Sequence, residues 1–532
     1  MRSPRADIPG TMSSMASTRR MGGRCGSAST SERLAVIWTT GHSNAVSASV
    51  IAERFGQVAR DHRDAAAVRV LPDGRAISFA DLRSDFSTMS RAFAAAGLDR
   101  ASAIVSLVGN RPEFFPLFAA CMDVGAALIP LGDATDAEVA ALIQRAGASA
   151  VVVERPMRLR ATRELALPGG LRLLRLADPA VAPEYGESVV LKLTSGSTDL
   201  PKAAIAPERC LVNDGRHIIE AMGITRADVN FGCIPLSHSY GLGNLVMPLL
   251  WQGTSVALRQ SFNPAQFVED VAVSQATIFP GVPFVFERMK TLGLTSLPVS
   301  LRLLITAGAR IDPATVRWTR RHLDRKLHSF YGSSETGGIA YDDSDEVSDP
   351  LDVGRAMPET KVTIRVSDHA ASDGRIFVAG NAVASGYARA GADAVAQFFE
   401  GGFVTGDLGH FDDRGRLFLT GRASPLVNVA GRKVDPAEVE RALVDLPGIS
   451  DARVFGMRSD TRGQEVVAFI VRSDDSLTPL AIRQRCAMTL STYKIPRRFV
   501  FVDRFPVDPR GKVDCRALEV LAAEKTDVLW IP

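Results

Sequence analysis

The sequence predicts an α/β protein: a large N-terminal domain of parallel-rich sheets packed with helices, followed by a small α+β C-terminal domain. Two observations favour this fold class. Short apolar runs alternate with segments of helical periodicity over much of the chain, as strands and helices do in parallel α/β sheets. The chain also has 532 residues, more than a single hydrophobic core usually holds. We expect a disordered extension over residues 1–43, the large domain over residues 44–422 and the small domain over residues 423–532.

The overall composition argues against several classes of protein. A hydrophobic content of 46% with 23% charged residues is typical of a soluble globular protein. The net charge of +3 is too near balance to indicate a protein that binds nucleic acid or a membrane surface. The six cysteines are scattered without a C-x-x-C pair, which argues against a disulfide framework or a zinc site. This pattern fits a reducing compartment, and we expect a cytoplasmic protein.

The most apolar window, residues 114–131, is the best candidate for a membrane span. It contains Asp123 and two prolines, and a charged side chain inside a bilayer is costly. A buried helix followed by a strand is therefore favoured, and we expect no stable membrane insertion.

The first 43 residues differ in composition from the rest of the chain. They are rich in Ser, Arg, Gly and Met, poor in acidic residues, and lack hydrophobic periodicity. Such a composition superficially resembles an organelle transit peptide, but no amphipathic run supports that interpretation. A disordered extension is the favoured interpretation.

Local patterns predict several elements of the large domain. Ser78 with Asp81 three residues later predicts a capping box at the start of a helix. The apolar residues that follow recur on one face at helical spacing: Phe79, Leu82, Phe86, Met89 and Phe93. Further on we predict strands over residues 103–108, 126–131, 148–153, 231–235 and 301–309, and helices over residues 112–124, 136–146 and 207–222.

The small domain is predicted in the same way. Asp435 and Pro436 cap and open a helix that runs to about residue 443. Strands over residues 452–456 and 466–471 follow, and then a helix over residues 479–490.

One stretch, residues 191–202, combines the features of a phosphate-binding loop. An apolar run ends in small hydroxyl residues, one glycine and then a lysine: Thr194, Ser195, Gly196, Ser197, Thr198 and Lys202. Backbone N–H groups and a lysine together neutralise and orient a polyphosphate. No G-x-x-x-x-G-K-S/T occurs, so an ordinary P-loop NTPase is disfavoured. By itself the stretch leaves a Ser/Thr-rich surface turn open as the alternative.

Polar or small residues also end several later strands. Gly308 and Ala309 would let a flat ring lie against the backbone. Glu335 lies in a hydroxyl-rich loop and is a candidate magnesium ligand, because Mg²⁺ prefers carboxylates combined with phosphate oxygens. Asp407 follows a turn and is suited to accept hydrogen bonds from a sugar diol. Ligands of open α/β sheets bind at the carboxyl ends of strands, and the loop after Thr194 lies at such an end.

Two further residues are ambiguous when taken alone. A lone histidine such as His238 is more often structural than catalytic. Lys512, in a glycine turn, would be interpreted as solvated surface.

Taken together and in this order, these stretches resemble the AMP-forming adenylating enzymes, which include acyl-CoA synthetases, aryl-CoA ligases, luciferases and the adenylation domains of peptide synthetases. The resemblance covers nearly everything after the N-terminal extension. The matching segments are the phosphate loop T/S-S-G-S/T-T-G-x-P-K at residues 194–202, Y-G-x-T/S-E at residues 331–335, T-G-D at residues 405–407, the G-R hinge signature at Gly421 and Arg422, a glycine loop at residues 428–433 and a C-terminal G-K at Gly511 and Lys512.

The resemblance implies ATP, Mg²⁺ and coenzyme A as cofactors. For the nucleotide it implies these residues: Thr194, Ser195, Gly196, Ser197, Thr198, Lys202, Gly308, Ala309, Tyr331, Gly332, Ser334, Asp407, Arg422 and Lys512. Tyr331 would lie against adenine, Asp407 would hold the ribose hydroxyls, and Glu335 would bind magnesium.

The resemblance also implies an acid pocket and a thiol path. The pocket would be lined by His238, Ser239, Tyr240, Gly308 and Gly337, and the thiol path by Ala430 and Gly431. The implied catalytic residues are Lys512, Glu335, Lys202 and His238. The partner is a small carboxylic acid, and Tyr240 would suit an aryl or medium-length acyl group better than acetate.

The implied reaction is activation of the acid by ATP to an acyl-AMP with release of pyrophosphate, followed by transfer to the thiol of CoA. The first step brings two anions together, so catalysis must be mainly electrostatic and positional. Lys512 would bridge the acid carboxylate and the α-phosphate. The mobile small domain would then rotate and bring Gly431 to the site, where a pantetheine arm needs close backbone approach.

Two positions depart from the family pattern. Asp199 replaces the usual glycine of the phosphate loop, and a carboxylate about 5 Å from a phosphate would cost roughly 3 kcal/mol at an effective dielectric near 20. We expect Asp199 to point outward, where solvent screening makes this cost small, in an enzyme that is active but binds ATP weakly. Ser424 and Pro425 stand where the family usually carries a charged hinge residue. The proline restricts the backbone there, so the domain movement would be slower or biased.

Two alternatives stay open. The acyl group would go to the pantetheine of a separate acyl carrier protein, or the chain would be a non-catalytic homologue that only senses nucleotide or acyl ligand. Catalysis is favoured because Lys512, Glu335, Asp407 and Lys202 are all present. A stand-alone ligase is favoured because no carrier domain follows Lys512.

Overall fold

The computed structural model of the chain describes residues 48–132, 134–177, 187, 189–194, 202–346, 349, 351–366, 373–388, 396–422, 426–459, 463–474, 476–506, 518 and 520–521. These residues belong to one compact unit that begins at Ala48. The extension expected over residues 1–43 lies outside them and stays a prediction.

The helices in this part of the chain are α1 (Val50–Asp61), α2 (Phe79–Ala95), α3 (Phe114–Val124), α4 (Asp136–Ala146), α5 (Glu208–Ala221), α6 (Ser239–Gly241), α7 (Met247–Gln252), α8 (Phe267–Ser274), α9 (Pro283–Thr291), α10 (Pro313–Leu323), α11 (Pro436–Val444) and α12 (Pro479–Cys486). A 3₁₀ turn covers Pro168–Gly170, and a π-helical turn covers Leu242–Val246 between α6 and α7.

The strands are β1 (Ala66–Val70), β2 (Arg75–Ser78), β3 (Ala103–Ser106), β4 (Ala127–Pro130), β5 (Ala150–Val153), β6 (Ala161–Ala166), β7 (Arg172–Leu176), β8 (Val189–Thr194), β9 (Lys202–Pro207), β10 (Val229–Gly232), β11 (Ser255–Leu258), β12 (Ile278–Gly281), β13 (Leu303–Ala307), β14 (Leu327–Ser333), β15 (Gly337–Tyr341), β16 (Arg355–Ala356), β17 (Thr360–Arg365), β18 (Gly374–Gly380), β19 (Tyr387–Ala388), β20 (Phe398–Phe399), β21 (Gly402–Phe411), β22 (Leu417–Arg422), β23 (Val427–Val429), β24 (Arg432–Val434), β25 (Ile449–Ser459), β26 (Gly463–Arg472) and β27 (Arg498–Phe501).

The capping box predicted at Ser78 is confirmed. The Asp81 N–H donates to Ser78 Oγ at 3.1 Å, and the Ser78 N–H donates to Asp81 Oδ2 at 2.9 Å. These bonds satisfy two donors that the first turn of a helix leaves free. Along α2 the predicted face buries Phe79, Leu82 and Phe93, so the periodic pattern identified the side of the helix that packs.

Two mixed sheets with parallel centres form the large domain, which confirms the predicted fold class. The first has the strand order β16-β15-β14-β13-β12-β10-β11-β1-β2, parallel from β14 to β1 and antiparallel at both edges. The second has the order β19-β9-β8-β4-β3-β5-β7-β6, parallel from β8 to β5.

The two sheets share a hydrophobic core through the helices between them. Phe55 of α1, Phe93 of α2 and Phe115 of α3 are fully buried in one cluster. That cluster includes Val256 of the first sheet and Leu128 of the second. The shared core holds both sheets in a fixed relation and therefore aligns the loops at their strand ends.

A third, antiparallel sheet closes the large domain. Its strand order is β17-β18-β21-β20, with β22 paired to β21. Tyr331, at the end of β14, packs in one cluster with Val378 and Phe403 of this sheet. The contact places β21 beside the first sheet.

The small domain is α+β, as expected. Its sheet has the order β24-β23-β26-β25, with β27 parallel to β26. Helices α11 and α12 cover it, and Val439 and Ile482 are fully buried in its core. The exact boundary predicted between the domains, after residue 422, stays a prediction.

Some local predictions differ from the structure, and one strand was missed. The strand predicted over residues 231–235 is Val229–Gly232, and helix α12 ends at Cys486 instead of residue 490. The Cys486 carbonyl accepts from both the Thr489 and Leu490 N–H groups, and this tighter turn closes the helix. Strand β9 was not predicted, because three of its residues are alanines, which have little strand preference.

Within the described part of the chain, no helix combines the length and the apolarity that crossing a bilayer requires. The apolar window at residues 114–131 is helix α3 followed by strand β4, both buried.

Candidate active site

The predicted phosphate stretch begins at a carboxyl strand end, as expected. Strand β8 runs parallel to β4 and ends at Thr194. The chain then returns as β9, antiparallel to β8, so that Thr194 pairs with Lys202. Thr194 Oγ1 donates to the Lys202 carbonyl at 3.3 Å. Strands β8 and β9 therefore form an antiparallel pair that places Thr194 and Lys202 side by side.

Glu335 and Lys202 are brought together through Tyr387, which the sequence did not single out. The Tyr387 hydroxyl donates to Glu335 Oε1 at 2.6 Å. Lys202 Nζ lies 5.4 Å from the centre of the Tyr387 ring, within the range of a cation–π contact. Burial, followed by the negative charge of Glu335 and the hydrogen bond to it, raises the pKa of Tyr387. The phenol therefore stays protonated and remains a donor.

Tyr387 reaches this position through the second sheet. It lies on the short strand β19, which pairs with β9 so that Tyr387 is opposite Ala204. The neighbouring segment is tied to Glu335 as well, because the Ala384 N–H donates to the Glu335 carbonyl at 2.7 Å. A two-residue strand carries no periodic signal, and only its pairing with β9 reveals the residue.

Tyr331 and Asp407 also meet. The Tyr331 hydroxyl donates to Asp407 Oδ2 at 2.7 Å. The Asp407 N–H donates to Thr405 Oγ1 at 3.1 Å, which holds the turn that presents the carboxylate. Asp407 pairs with Arg422 across strands β21 and β22. The residues predicted for adenine and ribose are therefore neighbours, although 76 positions separate them in the chain.

The acid-pocket residues of the His238 segment lie next to the β14 loop. Ser239 Oγ donates to Ser334 Oγ at 3.0 Å. Part of the surface of His238 is open to solvent, and desolvation by the surrounding protein disfavours its charged form. This desolvation, with the Arg432 cation as a second cause, lowers the pKa of His238 to about 4. The imidazole is therefore neutral near pH 7.

Tyr240 packs against the core of the first sheet. Its ring centre lies 5.9 Å from that of Phe330, and its hydroxyl is 3.5 Å from the Ile305 carbonyl. Burial raises the pKa of Tyr240 well above its ordinary value. Gly308 and Ala309, which follow strand β13, are exposed, as a surface for a flat ring must be.

The loop predicted for the thiol path lies against the large domain. Asn428 Nδ2 donates to the Gly308 carbonyl at 3.0 Å, and Asn428 Oδ1 accepts from the Gly431 N–H at 2.8 Å. Gly431 has φ of 88°, and a Cβ there would lie 2.9 Å from Val282 Cγ1. Glycine is therefore required both by the backbone angle and by the close approach.

Several predicted residues lie outside the described residues. They are Ser195, Gly196, Ser197, Thr198, Asp199, Ser424, Pro425, Gly511 and Lys512. For Arg422 the strand is described and the side chain is not. The roles implied for all of them stay predictions.

The described donors fit a magnesium ion that is shared with a nucleotide. Among the described residues no group of three or more His, Cys, Asp or Glu side chains could hold a metal. Mg²⁺ usually binds through one or two carboxylates together with substrate phosphate oxygens. Glu335 offers one such carboxylate beside the hydroxyl of Ser334, and only one of its oxygens receives a hydrogen bond from the described part of the protein.

Comparison with known proteins agrees with this geometry. The family model of the AMP-binding enzyme matches residues 55–388, and the model of the AMP-binding enzyme C-terminal domain matches residues 438–512. The sulfoacetate–CoA ligase of Cupriavidus necator is 27% identical over 479 residues, which cover 83% of this chain and 92% of the relative. The indoleacetate–CoA ligase of Aromatoleum aromaticum is 28% identical over 481 residues, which cover 85% of this chain and 94% of the relative.

The solved structures show the same fold. A double mutant of o-succinylbenzoate CoA synthetase from Bacillus subtilis, bound with its product analogue, superimposes with a TM-score of 0.75. The match covers 88% of this chain and 98% of that one, at 21% identity.

The chain belongs to the AMP-binding enzyme family, since the family model covers more than half of it. Its class is that of the AMP-forming acid–thiol ligases, because the curated relatives are acid–CoA ligases matched over most of their length. The prediction of an adenylate-forming acyl-CoA synthetase is thereby confirmed, and such ligases use ATP and CoA.

Proposed function

We propose that this chain joins a small aryl or medium-length carboxylic acid to coenzyme A, using ATP with Mg²⁺ and the residues predicted above. One observation supports the proposal: side chains expected for metal, phosphate and ribose are linked by direct contacts of two tyrosines. Tyr387 links Glu335 to Lys202, and Tyr331 links the same loop to Asp407. These residues come from three different sheets, and a structural role for each of them alone would not bring them together.

In the first half-reaction, a carboxylate oxygen of the acid bonds to the α-phosphorus of ATP, and pyrophosphate leaves. Lys202 and Lys512 would bear the negative charge that gathers on the phosphates. Asp407 would hold the ribose diol, with Tyr331 against the adenine. A magnesium ion held at Glu335, when bound, would offset the triphosphate charge. The protein contributes position and charge, since no protein atom bonds to the substrate.

In the second half-reaction, the thiol sulfur bonds to the acyl carbon, AMP leaves and the thiol proton is released. The position of the Ala430–Gly431 loop supports this step. It lies against Gly308 and Val282 of the large domain. We propose that the small domain in this structure is placed for thiol transfer, and that Lys512 acts in a different placement.

Two further points belong to the proposal. The acceptor is CoA and not a carrier protein, since the curated relatives are named CoA ligases. The compartment is the cytoplasm, which agrees with the free thiols of the four cysteines in the described residues.

The test is a pyrophosphate-release screen over aryl acids and fatty acids of graded length, with and without CoA. The expected result is release with a subset of acids and thioester formation only when CoA is present. Carboxylate-dependent ATP–pyrophosphate exchange separates an enzyme from a sensor, since a sensor shows none. Failure to form an acyl-AMP with any acid would refute the proposal.

A further inference from the structure

One side-chain amide of the second sheet joins two loops of the first sheet. Asn110 follows strand β3, and its Nδ2 donates to the Ile234 carbonyl at 3.0 Å and to the Arg259 carbonyl at 3.3 Å. Its Oδ1 accepts from the Leu236 N–H at 2.9 Å. Ile234 and Leu236 follow β10, and Arg259 follows β11. The amide therefore lies where the carboxyl ends of strands from both sheets meet.

The backbone groups that this amide binds belong to buried residues. Ile234 is 3% exposed, and Leu236 is fully buried. Buried backbone N–H and C=O groups are nearly always paired, because an unpaired one costs free energy. Asn110 supplies a partner to both residues. Without its amide, the loop after β10 would have to shift until water or another group could bind these atoms.

The segment that follows Leu236 carries the predicted acid-pocket residues and is internally braced. The His238 N–H donates to the Pro235 carbonyl at 3.2 Å, and the His238 carbonyl accepts from the Leu242 N–H at 2.8 Å. A Cβ at Gly241 would lie only 2.1 Å from the Pro235 carbonyl oxygen, so the two ends of the segment pack tightly together. A displacement of Leu236 is therefore passed on to His238.

The same segment contacts the second sheet on one side and the nucleotide loop on the other. Gly132 follows β4 of the second sheet, and a Cβ there would lie 3.1 Å from Ser237 Oγ. In the other direction, Ser239 Oγ donates to Ser334 Oγ, which lies just after β14. The position of the segment relative to the second sheet thus also affects how the pocket residues meet the β14 loop.

We infer that Asn110 is a positioning residue for the acid pocket: from the second sheet it fixes the segment that carries His238 and Tyr240, and so sets how well the carboxylic acid binds. The inference rests on the proposed function. The residues proposed for adenine and ribose, Tyr331 and Asp407, lie on β14 and β21. Loss of the amide should therefore weaken the use of the acid and leave the use of ATP nearly unchanged.

The experiment measures the KM for the acid and the KM for ATP separately in pyrophosphate release. It uses the acid of the aryl and fatty-acid panel that wild-type protein converts fastest. Asn110→Ala removes all three hydrogen bonds, and we expect the KM for the acid to rise about tenfold. The KM for ATP should stay within about twofold of the wild-type value.

A second variant tests the same contact if Asn110→Ala does not fold, which thermal unfolding shows. Asn110→Asp keeps an acceptor for the Leu236 N–H but loses the donor to the Ile234 and Arg259 carbonyls. It should also raise the KM for the acid and spare the KM for ATP.

Gln252→Ala is the matched control, because it removes an amide that joins loops at the opposite ends of the same two strands. Gln252 Nε2 donates to the Ile224 carbonyl at 3.1 Å and to Thr254 Oγ1 at 2.8 Å, just before β10 and β11 begin. This control should lower the Tm, as the Asn110 variants do, and leave the KM for the acid unchanged.

Three results would overturn the inference alone. They are an unchanged KM for the acid in the folded Asn110 variants, a KM for ATP that rises as much as the KM for the acid, and an equal rise in the KM for the acid in Gln252→Ala. Absence of pyrophosphate release with every acid of the panel, in wild-type protein, would instead refute the proposed function and the inference with it.

Discussion

At the scale of single residues, the cleft is organised by a phenol between two opposite charges. Tyr387 donates its hydroxyl to Glu335 and offers its ring to Lys202. In the described part of the protein the other oxygen of Glu335 receives no hydrogen bond, so it is the one that would bind the proposed metal, and the ring contacts the lysine without neutralising it. Both charged groups are thus positioned before a nucleotide arrives.

Tyr387→Phe should weaken metal binding more than it weakens the contact to Lys202. The change removes a hydrogen bond to a carboxylate but keeps the ring, and such bonds contribute about 1.5–3 kcal/mol. We expect the Mg²⁺ concentration for half-maximal ATP–pyrophosphate exchange to rise about tenfold. Tyr387→Leu removes the ring as well, and we expect it to raise the KM for ATP too. An unchanged Mg²⁺ dependence in Tyr387→Phe would show that the hydroxyl does not position Glu335.

His238 should not titrate in the working range of the enzyme. Its pKa is lowered to about 4 by desolvation and by Arg432, so the ring is neutral above about pH 5. The unfolded ring binds a proton below about pH 6.5, whereas the folded ring binds one only below about pH 4. Lowering the pH through this range therefore disfavours the folded state. We expect His238→Gln to lower the rate while the pH profile of pyrophosphate release keeps its shape between pH 5 and 8. A limb near pH 6.5 that disappears in the variant would contradict this prediction.

At the scale of elements, a buried ion pair docks the small domain on helix α4. Lys494 Nζ lies 3.1 Å from Glu138 Oε1 and 2.8 Å from Glu438 Oε1. Ser491 Oγ donates to Glu138 Oε1 at 2.6 Å. Glu138 also closes the capping box of α4 with Thr135. One carboxylate thus completes a helix start and anchors a domain, so any rotation of the small domain must break this contact.

The pKa shifts of Glu138 and Lys494 both favour the charged forms of the two side chains. Burial disfavours both charges, but Lys494 and the Ser491 hydrogen bond lower the pKa of Glu138. For Lys494, Tyr493, Glu438 and Glu138 outweigh burial and raise its pKa. The contribution of Glu138 to docking is therefore present above pH 4.5 and is lost as the pH falls below that value. The contribution of Lys494 is fully present below pH 10.5.

Lys494→Met should slow thioester formation and spare acyl-AMP formation. Removing one partner of a buried pair typically costs about 3–5 kcal/mol, because the other charge is left uncompensated, and here two facing carboxylates remain. We expect the thioester rate from synthetic acyl-AMP to fall by tenfold or more. The double change Glu138→Gln with Lys494→Met should recover part of the loss.

Arg485→Met is the control for the Lys494 variant, because it removes an exposed positive charge from the same domain. It should behave as wild type. Equal slowing of both half-reactions in Lys494→Met would argue that the ion pair serves stability and not the placement of the domain.

At the scale of the whole molecule, the two half-reactions should be separable by residues of the small domain. We expect Lys512→Ala to abolish acyl-AMP formation and to leave thioester formation from synthetic acyl-AMP nearly intact. Gly431→Ala should do the reverse, because its Cβ would meet Val282 and its φ is in the left-handed region. Single-turnover assays of each half-reaction measure this directly. Equal loss of both steps in either variant would contradict the assignment of that residue.

The sequence by itself determined the fold class and the family, and it predicted most residues of the proposed site. Capping boxes, helical periodicity and loop composition depend on residues a few positions apart, so they can be recognised without a structure. The loop sequence that contains Tyr331 and Glu335 is also a local pattern and can be recognised without a structure.

The tertiary structure alone decided which side chains meet. Tyr387 reaches Glu335 across 52 positions, Asn110 reaches Leu236 across 126, and Lys494 reaches Glu138 across 356. Strand β9 exists because β8 pairs with it, in spite of its alanines. Such contacts depend on how sheets stack and domains dock, and no local pattern records them.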